Sequence, residues 1–579
     1  MVAFLVTSLR SSFNYLLPTM PVLGKNYNFR ELLRDLLAGS TVAAVLIPQS
    51  MAYALLAGLP PAHGLYAALL GGIAGSLWSN SKHLATGPIA ILSLLTFSAV
   101  APLAPAGSVT FIILVAALAL MVGLVQISAG LLRLGFLVRL VPQSVLTGFS
   151  SAAALVIILT QIPQLFGFGV NSGDFVLLQV VKVFTNLTSS HVLTTILGLS
   201  TLLILTVSKK IGTRVPVPLL LLIFGVILAY FGSLSTEGVT LAGTIPTGFP
   251  EFTKISPTLF ISLGFHSIVI AFVGFMSSYA VLKELAHKSG EKVDADKEII
   301  AQGVANIFAG LFRGMPVGGS ISRTAVNYSA GGVTAWSGIF ASIFVIFSLL
   351  FLGPLLALVP NTILSAIVIF AVWPLIDLRQ FKRLYEITRT DGIIALATFS
   401  AVFVMRPDEA ILSGVILALV LYIRRVMWTD CVEVGIHPVW NTMHMREGFP
   451  EVAAYEGVMM LRIDAPLFYA SIERLARDIE FKISTREREN AEIIDTLVLD
   501  FSGVTHIDVT GLHDFDELLL GLQQRNVTVY LIELKRDARA ILGRGHLLEK
   551  LTILNNVFEL TEVLARRVRA GGATKKHFV

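Results

Sequence analysis

The sequence predicts a polytopic α-helical membrane protein of about fourteen spans, followed by a soluble α/β domain. The 579 residues are 55% hydrophobic and only 14% charged, whereas about 25% of the residues of an average soluble protein are charged. Apolar stretches follow one another from residue 36 to residue 423, and from Glu456 short strand and helix patterns alternate. Most of the chain is therefore predicted to lie in lipid.

Composition and charge argue against several other classes of protein. The net charge of +5 would fit nucleic-acid binding, but the cationic residues gather beside apolar spans, as they do in cytoplasmic loops. The single cysteine, Cys431, cannot form an internal disulfide, and no Cys/His cluster with zinc spacing accompanies it. No nucleophile–base pair or cofactor motif stands out. We therefore expect an integral membrane protein without nucleic acid, metal, cofactor or enzymatic activity.

The cationic loops predict the orientation in the membrane. If these loops lie on the cytoplasmic side, the positive-inside rule gives an even number of spans and places both termini in the cytoplasm. The membrane is then the inner or plasma membrane of a cell. Residues 1–29 are then a cytoplasmic lead-in, and residues 30–426 form the membrane domain. The loop-forming cations are Arg30, Arg34, Lys82, Arg133, Arg139, Lys209, Lys210, Arg214, Lys283, Lys288, Lys292, Arg379, Lys382, Arg383, Arg389, Arg424 and Arg425.

The membrane domain divides into two halves, about residues 30–232 and 257–426, with about seven spans each. An odd number of spans makes two repeats inverted with respect to each other. The third span of each half is interrupted, at residues 83–88 and 316–322, and such paired breaks indicate the midplane binding site of a transporter. Pro88 suits a first helical position. We therefore predict two half-helices whose N-termini face each other near the middle of the bilayer.

An arginine, Arg323, follows the second break. An arginine at membrane depth costs at least about 2.5 kcal/mol, so it should face protein, water or an anion. Two helix N-termini present unpaired N–H groups and positive dipole ends, which favour an anion. The alternative is a structural cap, in which Arg323 pairs with a backbone carbonyl.

The C-terminal part reads as a polar linker over residues 427–452, an α/β domain over 453–570 and a disordered tail over 571–579. The residue pattern predicts strands at residues 457–463, 496–501 and 527–532. Helical spacing predicts helices at residues 471–482 and 512–524, and a further helix from Ala538.

Several motifs resemble those of a known family. Leu46-Ile-Pro-Gln-Ser-Met-Ala-Tyr-Ala54 and Leu59-Pro-Pro-Ala-His-Gly-Leu-Tyr66 resemble the signature of the SulP anion permeases, which include the sulfate permeases and prestin. Thr86-Gly-Pro-Ile-Ala-Ile-Leu-Ser93 and Ser322-Arg-Thr-Ala-Val-Asn327 resemble two further family motifs, and residues 463–511 resemble its C-terminal STAS domain. The resemblance covers nearly the whole chain in the family's order.

The resemblance implies a seven-plus-seven inverted repeat with core and gate subdomains, an elevator-like motion and a homodimer. It also implies an anion site between the third and tenth helices. The matching residues are Gln49, Tyr53, Gly87, Pro88, Ile89, Ala90, Ser322, Arg323 and Thr324. From spacing alone, Gln49 and Tyr53 share one helix face; Tyr53 could simply be packing, and Gln49 could satisfy backbone groups freed by Pro48.

The chain departs from its relatives at Ser277, which aligns with a site-facing position on the eighth span where an acid often stands. In the relatives that carboxylate is associated with proton or sodium coupling. A hydroxyl neither carries a proton at ordinary pH nor neutralises a cation, so exchange or uniport is favoured over coupled symport. The alternative is that another acid, such as Glu284, replaces it.

In the soluble domain, Asp508 is expected to cap a helix, and Thr510 lies in that helix's exposed first turn. In the stand-alone STAS proteins that this domain resembles, a hydroxyl at the position of Thr510 is the regulatory phosphorylation site. The resemblance therefore implies that a cytoplasmic regulator could act on Thr510. Plain capping is the simpler interpretation. Lys382-Arg383 and Arg424-Arg425 are expected to anchor the chain against lipid phosphates.

The sequence therefore predicts a secondary transporter of a small inorganic or carboxylate anion. It leaves open sulfate, bicarbonate, chloride, nitrate and a dicarboxylate, because N–H groups, hydroxyls and one arginine suit all of them. Two other functions remain open. One is an uncoupled, channel-like anion conductor, and the other is a non-transporting anion or voltage sensor that signals through the STAS domain.

Overall fold

The computed structural model describes residues 27–136, 141–169, 176–212, 216–243, 245, 248–253, 259–290, 293–428, 431–437, 439–440, 442–446, 452, 454–490, 492–569 and 575–576. The chain forms two compact units, Met1–Ala418 and Leu419–Val579. Most of the predicted cytoplasmic lead-in, residues 1–26, lies outside the described residues.

Where the structure describes the first unit, it is helical apart from two strands of two residues each. Its elements are α1 (Phe29–Leu56), α2 (Pro61–Tyr66), α3 (Gly72–Trp78), β1 (Thr86–Gly87), α4 (Ala90–Val100), α5 (Val109–Leu131), α6 (Gln143–Phe166), α7 (Val176–Asn186), α8 (Val192–Ile211), α9 (Val217–Phe231), α10 (Leu259–Ser289), α11 (Ala295–Leu311), β2 (Gly318–Gly319), α12 (Ile321–Ser329), α13 (Trp336–Phe351), α14 (Gly353–Leu356), α15 (Asn361–Val372), α16 (Leu378–Ile387), α17 (Arg389–Val404) and α18 (Pro407–Met427). The last helix, α18, runs on into the second unit.

The length and surface of these helices fit a membrane domain. Among the described residues, seven helical stretches are long and apolar enough to cross a bilayer, and three shorter helices are also apolar. The outer face of α8 exposes large apolar side chains, including Val192, Ile196 and Leu203, which lipid would cover. A multi-pass membrane fold follows, while the number of about fourteen spans stays a prediction.

The first helix begins at a capping box and packs closely on α13. The side chain of Asn28 accepts the N–H of Glu31, and the Glu31 carboxylate accepts the N–H of Asn28. A Cβ added at Gly39 would lie 2.6 Å from the carbonyl oxygen of Ser337. Only a glycine therefore allows α1 and α13 to approach so closely.

Equivalent helices of the two halves make equivalent contacts. α1 opens the first half and packs on α13, and α10 opens the second half and packs on α5. Because α5 and α13 are each the second helix after the interrupted segment of their own half, exchanging the halves reproduces this pair of contacts. The pattern fits the predicted inverted repeat.

The helices α5 and α11 cross at a contact between glycines. A Cβ added at Gly123 would lie 2.5 Å from the carbonyl oxygen of Gly303, and one added at Gly303 would lie 2.8 Å from that of Gly123. Small residues at a crossing bring helix backbones into direct van der Waals contact. This crossing holds α11 directly behind the interrupted segments.

The second unit is an α/β domain with a six-stranded sheet in the order β4-β3-β6-β7-β8-β9. Strands β6 to β9 are parallel, whereas β3 is antiparallel to both β6 and β4. Its elements are β3 (Cys431–Ile436), β4 (Met443–Met445), β5 (Ala454–Tyr455), β6 (Val458–Ile463), α19 (Ile472–Asn490), β7 (Thr496–Asp500), α20 (Val509–Gln524), β8 (Thr528–Ile532), α21 (Arg536–Arg544), β9 (Thr552–Leu554), α22 (Val557–Arg569) and β10 (Lys575–Lys576).

Alternate residues of the central strands fill two hydrophobic cores. Leu461 and Leu497 pack in the core on one face of the sheet, together with α19 and α20. Met460 and Val498 pack in the core on the other face, together with Leu560 of α22. Covered on both faces, these strands are apolar at successive central positions, as parallel strands usually are.

The structure differs from the sequence prediction at both ends of this domain. Residues 427–452, predicted to be a linker, contain β3 and β4, which extend the sheet. Lys575–Lys576, within the tail predicted to be disordered, pair with Ala454–Tyr455. The strands in residues 427–452 and at Lys575–Lys576 are too short or too polar to show a strand pattern in the sequence. Their conformation depends on the strands with which they pair.

Candidate functional site

The two interrupted segments meet in a short antiparallel β-pair. Thr86 lies opposite Gly319, and Gly87 lies opposite Gly318. The N–H of Ser320 also donates to the carbonyl oxygen of Ala85 at 3.1 Å. Because each strand leads into a helix, the pair brings the N-termini of α4 and α12 together, as the paired breaks predict.

The two helix starts differ in how they are capped. The side chain of Ser320 caps α12 and accepts the N–H of Arg323. Ile89 precedes α4 in an extended conformation and offers no side-chain acceptor, so the first N–H groups of α4 lack a side-chain cap. The prediction that Pro88 occupies a first helical position is wrong, because pairing through Gly87 keeps the chain extended as far as Ile89.

Arg323 points into this junction and is completely buried. Its Nη1 donates to Gln49 Oε1 at 3.2 Å, while its Nε and Nη2 have no hydrogen-bond partner among the described residues. Tyr53 is also buried, one helical turn after Gln49 on α1. A Cβ added at Gly87 would lie 3.2 Å from Arg323 Nη2. The guanidinium therefore lies between Gln49 and the backbone of β1.

This arrangement differs from a simple structural cap. The described hydrogen bond of the Arg323 side chain goes to an amide side chain rather than to a backbone carbonyl. Two of its three nitrogens keep donors available. Burying a cation whose N–H groups have no acceptor costs free energy. The junction is therefore suited to an anion that accepts hydrogen bonds from these N–H groups.

The hydroxyl groups of the junction have different environments. Ser322 is exposed, and its hydroxyl lies 3.3 Å from that of Ser320. Thr324 is buried and accepts the N–H of Ala85 at 3.1 Å. Sequence reasoning missed Ser320, whose position before a helix is the usual signal of an N-cap. Ala90 is buried in the first turn of α4.

A side chain of α10 that sequence reasoning missed, Ser278, holds the second interrupted segment. Its Oγ accepts the N–H of Gly319 at 2.7 Å and donates to the carbonyl oxygen of Gly274 at 2.9 Å. The predicted residue, Ser277, is half-buried one position earlier. Successive helix residues point about 100° apart, so a shift of one residue changes the side chain that faces the segment.

The remaining predicted residues lie in the α/β domain. Asp508 caps α20, because its Oδ1 accepts the N–H of Gly511 at 2.6 Å. Thr510 is exposed in the first turn of α20. Within the described residues, no three His, Cys, Asp or Glu side chains are grouped so as to hold a metal ion.

Comparison with known proteins agrees with this fold. A family model described as the sulfate permease family matches residues 32–398, and a second, the STAS domain, matches residues 449–560. A probable sulfate transporter of Mycobacterium tuberculosis is 33% identical over an alignment of 546 residues, which covers 93% of this chain and 97% of that protein. Sulfate transporter 4.1, chloroplastic, of Arabidopsis thaliana is 30% identical over 579 residues and covers 96% of this chain and 83% of that protein.

Solved structures share the fold at lower identity. The structure of SLC26A9 matches with a TM-score of 0.87 and 19% identity, over 98% of this chain and 95% of that one. The transmembrane domain of the cyanobacterium bicarbonate transporter BicA matches with a TM-score of 0.59 and 22% identity, over 68% of this chain and 98% of that one.

Proposed function

The chain belongs to the sulfate permease family, a family of transporters rather than enzymes, and we propose on that premise that it is a secondary transporter of a small anion. The anion is held between the N-termini of α4 and α12. The observation that carries the proposal is the guanidinium of Arg323, which is completely buried with Nε and Nη2 unpaired among the described residues.

The donors at the junction match the needs of an oxyanion. The uncapped start of α4 supplies backbone N–H groups and the positive end of a helix dipole. Arg323 supplies a full charge and two unpaired nitrogens, arranged as a fork that suits a planar or tetrahedral oxyanion. Gln49, Tyr53 and the exposed hydroxyl of Ser322 complete the proposed binding set, with Pro88, Ile89 and Ala90 shaping its backbone.

The substrate class proposed is a sulfate-like anion, bicarbonate, chloride or a dicarboxylate. The relatives named above are described as sulfate transporters, and BicA is described as a bicarbonate transporter. Neither Ser277 nor Ser278 of α10 is an acid, and Glu284 of the same helix is exposed. We therefore propose that the site holds its anion without a titrating carboxylate at these two positions. Exchange or uniport is therefore proposed in preference to symport with a proton or sodium ion.

The proposed mechanism is elevator-type alternating access. The core that carries β1, β2 and the half-helices moves against the gate, and the anion moves with it. The packing of α1 on α13 and of α10 on α5 supports the core as one body, because each contact joins a helix of one half to a helix of the other.

A proposed homodimer with both termini in the cytoplasm would place the STAS domain inside the cell. There it would support dimerisation or bind a regulator, with the exposed Thr510 as the candidate phosphorylation site beside Asp508. Labelling of introduced cysteines with an impermeant reagent would test the orientation, and the mass of the detergent-solubilised particle would test the dimer.

Substrate and coupling are tested together in proteoliposomes with a panel of labelled anions, run with and without pH and sodium gradients. We expect saturable uptake of at least one oxyanion, accelerated by unlabelled anion on the opposite side and unaffected by a sodium gradient. Gradient-driven accumulation would overturn the uncoupled mechanism. Absence of uptake of every anion would overturn transport itself.

Two other functions follow from the same features. The absence of an acid at Ser277 also fits a channel-like conductor, and electrical recording separates the two because a channel carries currents far above carrier turnover. The buried charge of Arg323 also fits an anion or voltage sensor signalling through the STAS domain. A sensor would show voltage-dependent charge movement without net flux.

A further inference from the structure

Three polar side chains form a completely buried stripe on α11. Glu298, Gln302 and Asn306 follow one another at intervals of four residues, so they share one helix face, and none of them has exposed area. Burying a polar group without a hydrogen bond costs roughly 2–7 kcal/mol. The partners of these side chains therefore indicate what the stripe does.

The first part of the stripe holds β1. Glu298 Oε2 accepts the Oγ hydroxyl of Ser79 at 3.0 Å and the N–H of Asn80 at 3.1 Å. Gln302 Nε2 donates to Glu298 Oε1 at 2.9 Å and to Thr86 Oγ1 at 3.2 Å. The turn that precedes β1 and the first residue of β1 are thereby tied to α11.

Asn306 holds the segment that leads into β2. Its Oδ1 accepts the N–H of Val317 at 2.8 Å, and its Nδ2 donates to the carbonyl oxygen of Val317 at 3.0 Å. The amide thus occupies the place of a neighbouring strand residue. Its Nδ2 also lies 3.0 Å from Gln126 Oε1, and Gln126 Nε2 donates to the carbonyl oxygen of Ala271 at 2.9 Å.

We propose that Asn306 is a positioning residue for the anion site, acting through its paired hydrogen bonds to Val317. These bonds set the place of β2 and therefore of the first turn of α12 with Arg323. The proposal rests on the proposed function. Because α11 also holds β1 and crosses α5 in close contact, one helix fixes the distance between the two half-helix N-termini. Donors that converge on one anion need such a fixed distance.

The test is Asn306→Asp in the full-length chain, reconstituted and supplied with labelled sulfate. The substitution keeps the side-chain volume but places a carboxylate oxygen against the carbonyl oxygen of Val317. We expect KM for sulfate to rise about tenfold or more, since small misplacements of binding groups weaken binding strongly. Because a buried charge is costly, the melting temperature should fall as well, so KM is measured below the variant's melting temperature and at equal amounts of folded protein. At lower pH the protonated carboxyl regains a donor, so KM of the variant should move back towards the wild-type value.

The matched control is Asn361→Asp, the same change at a half-buried position at the start of α15. It should keep the wild-type KM at every pH. An Asn306→Asp variant with wild-type KM and only a lower melting temperature or maximal rate would show a structural role and overturn the proposal.

A second readout does not depend on transport. Amide hydrogen exchange of residues 315–327 should be faster in Asn306→Asp than in both the wild type and Asn361→Asp. If the wild type takes up no sulfate, the proposed sulfate transport fails, and the exchange measurement alone decides the proposal. Unchanged exchange of residues 315–327 would overturn it.

Discussion

Replacing Arg323 by methionine distinguishes a guanidinium that binds an anion from one that only supports the fold. Nε and Nη2 are unpaired among the described residues, and Nη1 donates to Gln49. A hydrogen bond to a charged group contributes about 1.5–3 kcal/mol. Two such bonds from an anion would contribute about 3–6 kcal/mol, which corresponds to a loss of about 10² to 10⁴ in affinity on substitution.

The same substitution should not lower stability when no anion is present. Methionine keeps the apolar stem of the side chain but leaves Gln49 Oε1 without its donor, which costs about 1–3 kcal/mol. Against this, the variant no longer buries an unpaired charge, whose effective penalty is several kcal/mol. We therefore expect anion-free Arg323→Met to melt at the wild-type temperature or above it.

Thermal unfolding of the purified proteins across a sulfate titration tests both expectations. The anion should stabilise the wild type by about 2.7 kcal/mol at a hundredfold excess over Kd and should leave Arg323→Met unchanged. Arg323→Lys, which keeps the charge but not the fork, should respond weakly. An anion-free Arg323→Met that melts well below the wild type and still responds to sulfate would refute the reasoning and support a structural cap.

Three further perturbations test other parts of the structure. In Gly87→Ala the new Cβ would lie 3.2 Å from Arg323 Nη2. Because Nη2 is at the end of a flexible side chain, the guanidinium should shift, so that anion affinity falls with little change in melting temperature. Wild-type anion affinity in this variant would contradict the contact. Asp408→Asn removes the charge of a buried carboxylate whose Oδ2 lies 2.8 Å from His266 Nδ1, and it should lower stability by about 1.5–3 kcal/mol; an unchanged unfolding temperature would show that the pair contributes nothing. Burial is the main cause, and a hydrogen bond to a carboxylate the second, of the raised pKa of the Cys431 thiol. Because the thiolate is the reactive form, maleimide should label the folded protein at pH 8 much more slowly than the urea-unfolded protein. Because the folded pKa is raised, the stability that this thiol contributes is present below its ordinary pKa of about 9 and is lost as pH rises above that value; fast labelling of the folded protein would contradict the burial.

The interrupted segments could be located from the sequence because glycine and proline act directly on the backbone. Thr86-Gly87-Pro88 and Pro316-Val-Gly-Gly319 carry the glycines and prolines that disfavour a regular helix, whatever packs around them. Their equivalent places in the two halves then predicted that they meet, and Gly87 does lie opposite Gly318. The start of α4 was misplaced because strand pairing extends the chain past Pro88.

The contacts between helices could not be predicted from one sequence. Periodicity does not decide between Ser277 and Ser278, because the choice depends on the rotation of α10 against β2. The stripe of Glu298 and Asn306 resembles ordinary polar positions in a helix, and only the fold shows that it is buried. β3 was missed for the related reason that a short strand is defined by its neighbours in the sheet.

Side-by-side uptake of labelled sulfate and bicarbonate by proteoliposomes of the wild type and of Arg323→Ala tests the central claim most directly. The account predicts saturable uptake by the wild type and, at low substrate concentration, loss of most of the uptake of divalent sulfate in the variant, with equal amounts of folded protein in both preparations. Equal sulfate uptake by the two proteins at low substrate would contradict an anion site built around Arg323.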